Sequence, residues 1–219
     1  MVFSKKHIVP QIDIELEGRK VEQVETFTYL GSLITQDGRT EKEITRRACI
    51  AKRTFQSMSK LLTSHALSFK TKIRLTKCYI WSTFFYGCET WTLTPTLEKK
   101  ITAFEMWIYR RISRTSWREK KTNQQVLQKV KLKDTELSTI VRKRKLQYYG
   151  HVRRHETLQK IILEGKVDGK RGRGRKRSSW TDNIAAYTKQ PINICAELAQ
   201  DRQRWRTMTS NLGNETEQR

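Results

Sequence analysis

Between Lys166 and Arg177, seven of twelve residues are Lys or Arg, with Gly169, Gly172 and Gly174 spaced among them. The chemistry open to such a stretch is phosphate binding. Ammonium and guanidinium groups neutralise phosphates and release counterions, which gives an affinity that falls with salt. Glycine lets the backbone come close and leaves the arginines mobile. A solvated linker or a nuclear import signal is the plainer reading of the same residues. The surrounding charge favours phosphate contact. From Leu137 to Arg177, 14 Lys or Arg against three acids leave +11, out of +23 for the whole chain. One part of that charge is Arg142, Lys143, Arg144 and Lys145, followed by Arg153 and Arg154. The other is Lys170, Arg171, Arg173, Arg175, Lys176 and Arg177. A lone linker would not explain the matching charge upstream, so all twelve cations are candidate nucleic-acid contacts. Tyr148, Tyr149 and Trp180 flank them and offer stacking faces worth about 1–3 kcal/mol per base if exposed. An aromatic at helical spacing is more often core, and that is the plainer reading of Tyr148 and Trp180.

Other chemistry finds little support. His151 and His155 stand four apart, a spacing that on a helix can grip zinc. No Cys-x-x-Cys lies near, so they read better as polar residues in a basic hinge that touches phosphate. No local Ser-His-Asp or Cys-His set is evident, and no Walker loop. A polymerase or nuclease needs clustered carboxylates for Mg²⁺, whereas the acids here are interleaved with cations. Asp201 reads as an intrahelical charge partner. No catalytic residue, metal site or cofactor is expected. The Lys/Arg/Gly loop is also near a DNA-binding AT-hook and an Arg-Gly RNA-binding box, neither a specific signal: Lys176 stands where the hook's Pro would follow Gly174-Arg175. The stretch is also shorter than a typical Arg-Gly RNA-binding box.

The chain has 219 residues, 36% hydrophobic and 31% charged. That suits a folded chain with basic loops. The excess positive charge calls for an anionic partner, RNA, DNA or a hybrid first, with heparin-like polymers and anionic membranes as the alternatives. No run of 18 apolar residues exists, so no membrane partner is expected. The first ten residues lack an apolar signal core, which argues against secretion. Cys49, Cys78, Cys88 and Cys195 read as reduced core thiols of a nuclear or cytoplasmic protein, the nucleus being favoured by the cluster at 170–177.

The elements that must position these residues are mainly helical. Ile12, Ile14 and Leu16 alternate with acids, the period of a half-buried strand. Phe27 to Leu30 and Ser32 to Thr35 continue a small antiparallel hairpin or meander. Thr40 with Glu43 forms a capping box, and Ile44, Ala48, Ala51, Phe55, Met58 and Leu62 share one helical face. A second helix starts at Ser68 and carries Ile73, Tyr79, Ile80 and Phe84. A third starts at Thr94-Pro95, with Leu97, Ile101, Phe104, Ile108 and Ile112 on its face. Thr122 and Gln125 repeat the capping box. Asp134 caps a helix that ends at Gly150, and a short helix ends at Gly165. Ser179 caps a helix with Trp180, Ile184 and Tyr187, and Asn193 caps the last, with Trp205 and Leu212. The expected division is a hairpin at 1–38, helices at 39–117, a basic helical region at 118–165, the Lys/Arg/Gly loop at 166–178, C-terminal helices at 179–213 and a tail at 214–219.

Six short runs occur in an order that resembles the C-terminal part of non-LTR (LINE-type) retrotransposon reverse transcriptases. They are Phe27-Thr-Tyr-Leu-Gly-Ser-Leu-Ile34, Tyr86-Gly-Cys-Glu-Thr-Trp91, Trp107-Ile-Tyr-Arg-Arg111, Gly150-His-Val-Arg-Arg154, the basic stretch with Trp180, and Ala199-Gln-Asp-Arg-Gln-Arg-Trp205. The likeness runs from about residue 12 to 208. It implies a primer-grip-like hairpin at Phe27, Tyr29, Leu30 and Gly31, thumb-like helices from Thr40, and a basic nucleic-acid-binding C-terminal region. Cys88 stands where a small residue such as Ser is usual, and Lys176 where Pro is common. The family's paired aspartates lie upstream of the grip. The 28 residues before Tyr29 hold no Asp-Asp, and neither palm, fingers nor endonuclease is expected within the chain. The resemblance therefore implies a non-catalytic nucleic-acid-binding fragment. The alternatives are a polymerase fragment that works only with a palm in trans, and the product of a decayed element.

Overall fold

The computed structural model describes residues 1–2, 10–165 and 178–211. The Lys/Arg/Gly loop, with Lys170, Arg171, Arg173, Arg175, Lys176 and Arg177, lies outside the described residues, as do Leu212 and the tail. The fold is mainly helical, with two small antiparallel hairpins ahead of the helices. Strands β1 (Glu15–Leu16) and β2 (Arg19–Lys20) form the first, β3 (Thr26–Tyr29) and β4 (Ser32–Thr35) the second. Each turns on two residues of positive φ, Glu17 (50°) with Gly18 (74°) and Leu30 (46°) with Gly31 (78°). That is the two-residue turn whose twist matches a hairpin. The expected half-buried strand does not form. Ile12, Ile14 and Leu16 are all exposed, because β1 and β2 have two residues each and present no sheet face to cover.

The chain divides into two compact units, Met1–Gly87 with Ala103–Lys133, and Cys88–Thr102 with Asp134–Arg219. In the first, α1 (Glu41–Ser57) and α2 (Ser59–Leu62) follow the hairpins. Ile44, Ala51, Phe55 and Leu62 are buried, as their spacing predicts. Ser68 caps α3 (Phe69–Leu75), its hydroxyl accepting from the Thr71 amide. The helix then widens into a π turn at Thr76–Trp81 before α4 (Ser82–Phe84). The wider turn shifts the helical phase, so Ile73, Ile80 and Phe84 are buried while Tyr79, expected on the same face, is exposed. Helix α5 (Pro95–Ile112) opens with proline at its first position, where no amide is needed. Its residues from Ala103 belong to this unit, where Phe104 stacks on Phe84 at 4.9 Å and Trp107 meets Phe55 edge-on at 5.3 Å. Helix α6 (Asn123–Lys129) has the expected Thr122–Gln125 box.

The Thr40–Glu43 box does not form: Thr40 makes no side-chain cap. Glu43 is buried and bonded elsewhere, accepting from the Leu33 amide at 2.9 Å and from Arg47 Nε at 2.7 Å.

The second unit holds α7 (Leu137–Arg154), α8 (Leu158–Glu164), α9 (Trp180–Thr188), α10 (Ile192–Leu198) and α11 (Arg202–Asn211). Ser179 caps α9 in a reciprocal box with Asp182. Asp134 does not cap α7; its carboxylate accepts from the adjacent Thr135 amide, and the helix starts after Glu136. Gly150 does not end α7 but sits inside it. A Cβ there would collide with the indole of Trp205, so the glycine serves close packing. Asn193 lies within α10, and the expected last helix is two. Asp201 starts the second of them, its carboxylate accepting from the Gln203 and Arg204 amides at 2.8 and 3.1 Å. It is a cap as well as the charge partner of Arg204, at 3.9 Å. The unit's core gathers Leu146, Tyr149, Ile184, Cys195, Ala199 and Trp205. Of the four thiols, Cys88 and Cys195 are buried as expected, but Cys49 and Cys78 are exposed. Neither lies on the inward stripe of its helix. Burial pushes the Cys88 thiol up to about 12, with Glu89 adding to it, which disfavours the thiolate.

Candidate nucleic-acid interface

Helix α7 carries six of the twelve candidate cations, and the fold sorts them by helical phase. Lys145 follows Leu137 and Val141 at steps of four and precedes Tyr149 by four, so it lies on the inward stripe and is fully buried. Its ammonium donates to Trp91 O at 2.7 Å and Asn183 Oδ1 at 2.6 Å, with the Trp180 ring 4.8 Å away. Burial pushes its pKa down to about 7, while the two carbonyl acceptors and the indole act in the opposite sense. Asn183 also accepts from the Leu93 amide and donates to Leu93 O, both at 2.8 Å. Lys145 is thus a tie between α7, α9 and the segment around Trp91.

Three more of the six are bonded within the unit. Arg142 makes a two-pronged bond to Glu98, at 3.0 and 2.7 Å. Burial lowers its pKa, but the Glu98 hydrogen bond and charge outweigh that and the net shift is upward. Arg153 pairs with Glu164. Arg154 donates to Ala199 O at 2.9 Å. Lys143 is exposed and Arg144 half-exposed, the latter 3.7 Å from Glu89.

The outward face of α7 is therefore Lys143, Arg144, Gln147, Tyr148 and His151, with His155 exposed just past its end. An open hollow of about 590 Å³ lies along it, lined by Glu89, Thr90, Arg144, Gln147, Tyr148 and His151. Gln147 went unnoticed in the sequence, although the four-residue steps from Lys143 through Gln147 to His151 mark it. Tyr148 and Trp180 are each half-buried and meet edge-on at 6.2 Å, so neither is wholly core. The His151 and His155 rings lie 4.5 Å apart. Among the described residues no three His, Cys, Asp or Glu side chains are grouped to hold a metal ion.

The second hairpin holds the grip-like residues. Phe27, Tyr29 and Leu30 are exposed. The turn itself is held by helix α1 and Tyr86. Arg46 donates to Gly31 O at 3.0 Å, Arg47 donates to the same oxygen, and the Tyr86 hydroxyl donates to Leu30 O at 2.5 Å. The Arg47 guanidinium lies 4.4 Å from the Tyr86 ring centre. Glu43, Arg46 and Arg47 were not singled out by the sequence as holding this turn.

Several of the ordered runs meet in space. Leu30-Gly31 is held by Tyr86. Trp180 Nε1 donates to Glu89 O at 2.9 Å. Gly150 receives Trp205, whose Nε1 donates to Leu146 O at 2.8 Å. These runs encode packing.

The chain is 26% identical over 198 residues to a protein of Caenorhabditis elegans named as an uncharacterized transposon-derived protein, across 85% of this chain and 70% of that one. No protein-family model matches the chain. No solved structure matches it.

Proposed function

We propose that the chain is a non-catalytic nucleic-acid-binding fragment derived from a non-LTR retrotransposon reverse transcriptase. The observation that carries this is the outward face of α7, where Lys143 is exposed and Arg144 and His151 line one hollow with Tyr148. The same part of the sequence, 137–177, holds +11 of the chain's +23. Cations beside rings suit a flexible strand better than a protein partner. The likeness to a transposon-derived protein supports the origin. The sequence contains no adjacent aspartates of the kind that family uses to bind Mg²⁺, which supports binding without catalysis. The cluster at 170–177 serves as a phosphate-following arm and as a nuclear address.

The test is binding to labelled single-stranded RNA, duplex DNA and an RNA–DNA hybrid across a salt series. The wild type is set beside a variant with Lys170, Arg171, Arg173 and Arg175 changed to Gln. A preference for one ligand that survives near physiological salt is expected. Each lost phosphate contact should reduce the log–log salt slope by about 0.7–0.9. An unchanged slope removes the loop from the interface. Equal binding to all three that vanishes with modest salt overturns the proposal. A second reading, a polymerase fragment that needs a palm in trans, is favoured by the exposed Phe27 and Leu30 at the grip-like hairpin. Nucleotide incorporation by the chain mixed with a palm fragment, and by neither alone, would establish it.

A further inference from the structure

Two stretches of the first unit contain no acid. From Ile44 to Gly87 there are nine Lys or Arg and no Asp or Glu, and from Met106 to Arg118 there are four and none. The fold brings Lys72 of the first stretch and Arg114 of the second under each other's charge. Arg114 ends α5 with φ at 53°, its amide donating to Arg111 O at 3.1 Å and the Thr115 amide to Arg110 O at 2.8 Å. Glycine is the usual residue for that helix-ending conformation, so what arginine brings to the position is its side chain. Its Nε donates to Thr63 O at 2.7 Å and its Nη1 donates to His65 Nε2. These two acceptors fix the guanidinium, and Nη2 has no hydrogen-bond partner among the described residues.

Lys72 stands on α3 and is 5% exposed. Its ammonium has neither hydrogen bond nor ion pair among the described residues, and the Phe69 ring lies 5.4 Å away. Burial, and then the Arg114 charge, push its pKa below the usual lysine range. The acids that flank Arg114 in sequence are engaged elsewhere. Glu119 accepts from the Ser116 amide and pairs with Lys121, both at 2.7 Å, and the buried Glu105 accepts from the Tyr109 hydroxyl at 2.7 Å. A covered cation beside a second cation costs stability unless an anion joins them.

We infer that Lys72 and Arg114 together receive one phosphate group of a nucleic-acid backbone, with His65 and the Thr63 carbonyl holding the guanidinium in place for it. The inference rests on the reading of the chain as a nucleic-acid binder and adds a contact in the first unit. The donors select the anion: a guanidinium edge and an ammonium are the pair that phosphate recognition uses, the one directional and the other a point charge. A single carboxylate from a protein partner would answer these two but would leave Lys70 and Arg74 on α3, and Arg111 and Arg118 beside Arg114 in sequence, all exposed, without anions. A chain of phosphates answers them all.

The experiment uses the full chain with labelled single-stranded RNA, duplex DNA and an RNA–DNA hybrid, read by fluorescence anisotropy across a salt series. Lys72→Met keeps the covered stem and removes the charge. On the tightest of the three ligands it should weaken binding about fivefold near physiological salt and reduce the log–log slope by about 0.7–0.9, the share of one phosphate. Its denaturation midpoint should equal or exceed that of wild type, because an unpaired covered charge is gone. A merely structural lysine would give the reverse, a lower midpoint with the slope unchanged. Arg114→Gly, which suits the backbone at 53°, should reduce the slope likewise. Lys42→Met, the same charge change at an exposed position of α1, should leave slope and midpoint nearly as they are. If the wild type binds and Lys72→Met keeps the full slope, the site is overturned and the proposed function stands. If the wild type binds none of the three ligands, both fall. Inorganic phosphate in excess is the last probe. If it raises the midpoint of wild type but not of Lys72→Met while the nucleic-acid slope is the same in both, the site takes a small phosphate ester and the backbone assignment is overturned.

Discussion

The two hairpins of the first unit and the α7–α11 layer of the second are ordered by opposite means. At the hairpins most large apolar side chains face outward: Ile12, Ile14, Leu16, Phe27 and Leu30 are all exposed, while Leu33 and Ile34 of β4 are half-buried. What holds the second hairpin is polar, a turn whose two carbonyls are bonded by Arg46, Arg47 and Tyr86 and whose strand β4 is tied to Glu43. In the α7–α11 layer the order comes from burial. Trp205 fills the space left by the missing side chain of Gly150, and Tyr149 packs on it at 5.4 Å between ring centres. The contrast teaches where sequence change should matter. Substitutions of the exposed apolar residues in the hairpins should be nearly silent, and those of the buried residues in the layer costly.

The sharpest way to break the comparison lies at Gly150 and Trp205. Trp205→Ala should cost about 3–5 kcal/mol, as large-to-small changes of buried aromatics do, read by chemical denaturation. Gly150→Ala alone should destabilise by about 1–2 kcal/mol. The overpacking against the indole exceeds the roughly 1 kcal/mol that alanine gains over glycine in a helix. In the Trp205→Ala background the collision is gone, so Gly150→Ala should change sign and stabilise by up to about 1 kcal/mol. If it destabilises equally in both backgrounds, Gly150 is there for some reason other than the indole.

This pair also shows how far the sequence could be read. Periodicity located the helical faces that are buried, Ile44 to Leu62 and Leu97 to Ile112, and local pairs located the caps at Ser68, Thr122 and Ser179. These signals lie within one or two turns. Gly150 was misread as a helix end because the residue that requires it comes 55 positions later. The Thr40–Glu43 box failed for a like reason: the amide of Leu33 captured the carboxylate. At the candidate site, the run Arg142 to Lys145 looks uniform by charge, yet its members differ in fate. Steps of four from Leu137 through Val141 already mark Lys145 as inward. The hollow beside Tyr148 was not legible, since α7 and the segment at Glu89 and Thr90 must come together to form it.

Lys145 sharpens the comparison with a charge placed on the buried side. Its folded pKa is lowered to about 7 from an ordinary 10.5. Between those values the unfolded chain holds a proton that the folded chain lacks. Stability should therefore rise with pH from about 7 to about 10.5, and be flat with respect to this group outside that window. Lys145→Met removes that rise, and also removes the donor to Trp91 O and Asn183 Oδ1. The variant should be less stable than wild type by about 2–3 kcal/mol near pH 10, and the gap should close and reverse toward pH 6, since each pKa unit is worth about 1.4 kcal/mol. Melting curves for both proteins across that range check it. A gap that widens on acidification would mean the ammonium is stabilised where it sits.

The smallest effect should come from the hairpin turn. Leu30 holds φ at 46° with its side chain 75% exposed, a conformation that disfavours a leucine and favours Asn ahead of Gly. Leu30→Asn should therefore stabilise the hairpin by about 0.5–1 kcal/mol, seen as slower amide exchange at Phe27 and Ile34, which pair across β3 and β4. In the α7–α11 layer the comparable backbone position is Lys189, at φ 54° just after α9, and its side chain is polar. If Leu30→Asn is neutral or destabilising, the leucine makes a contact that outweighs its backbone cost, and the hairpin is ordered by burial after all. If it stabilises as expected, hairpin stability does not explain the leucine.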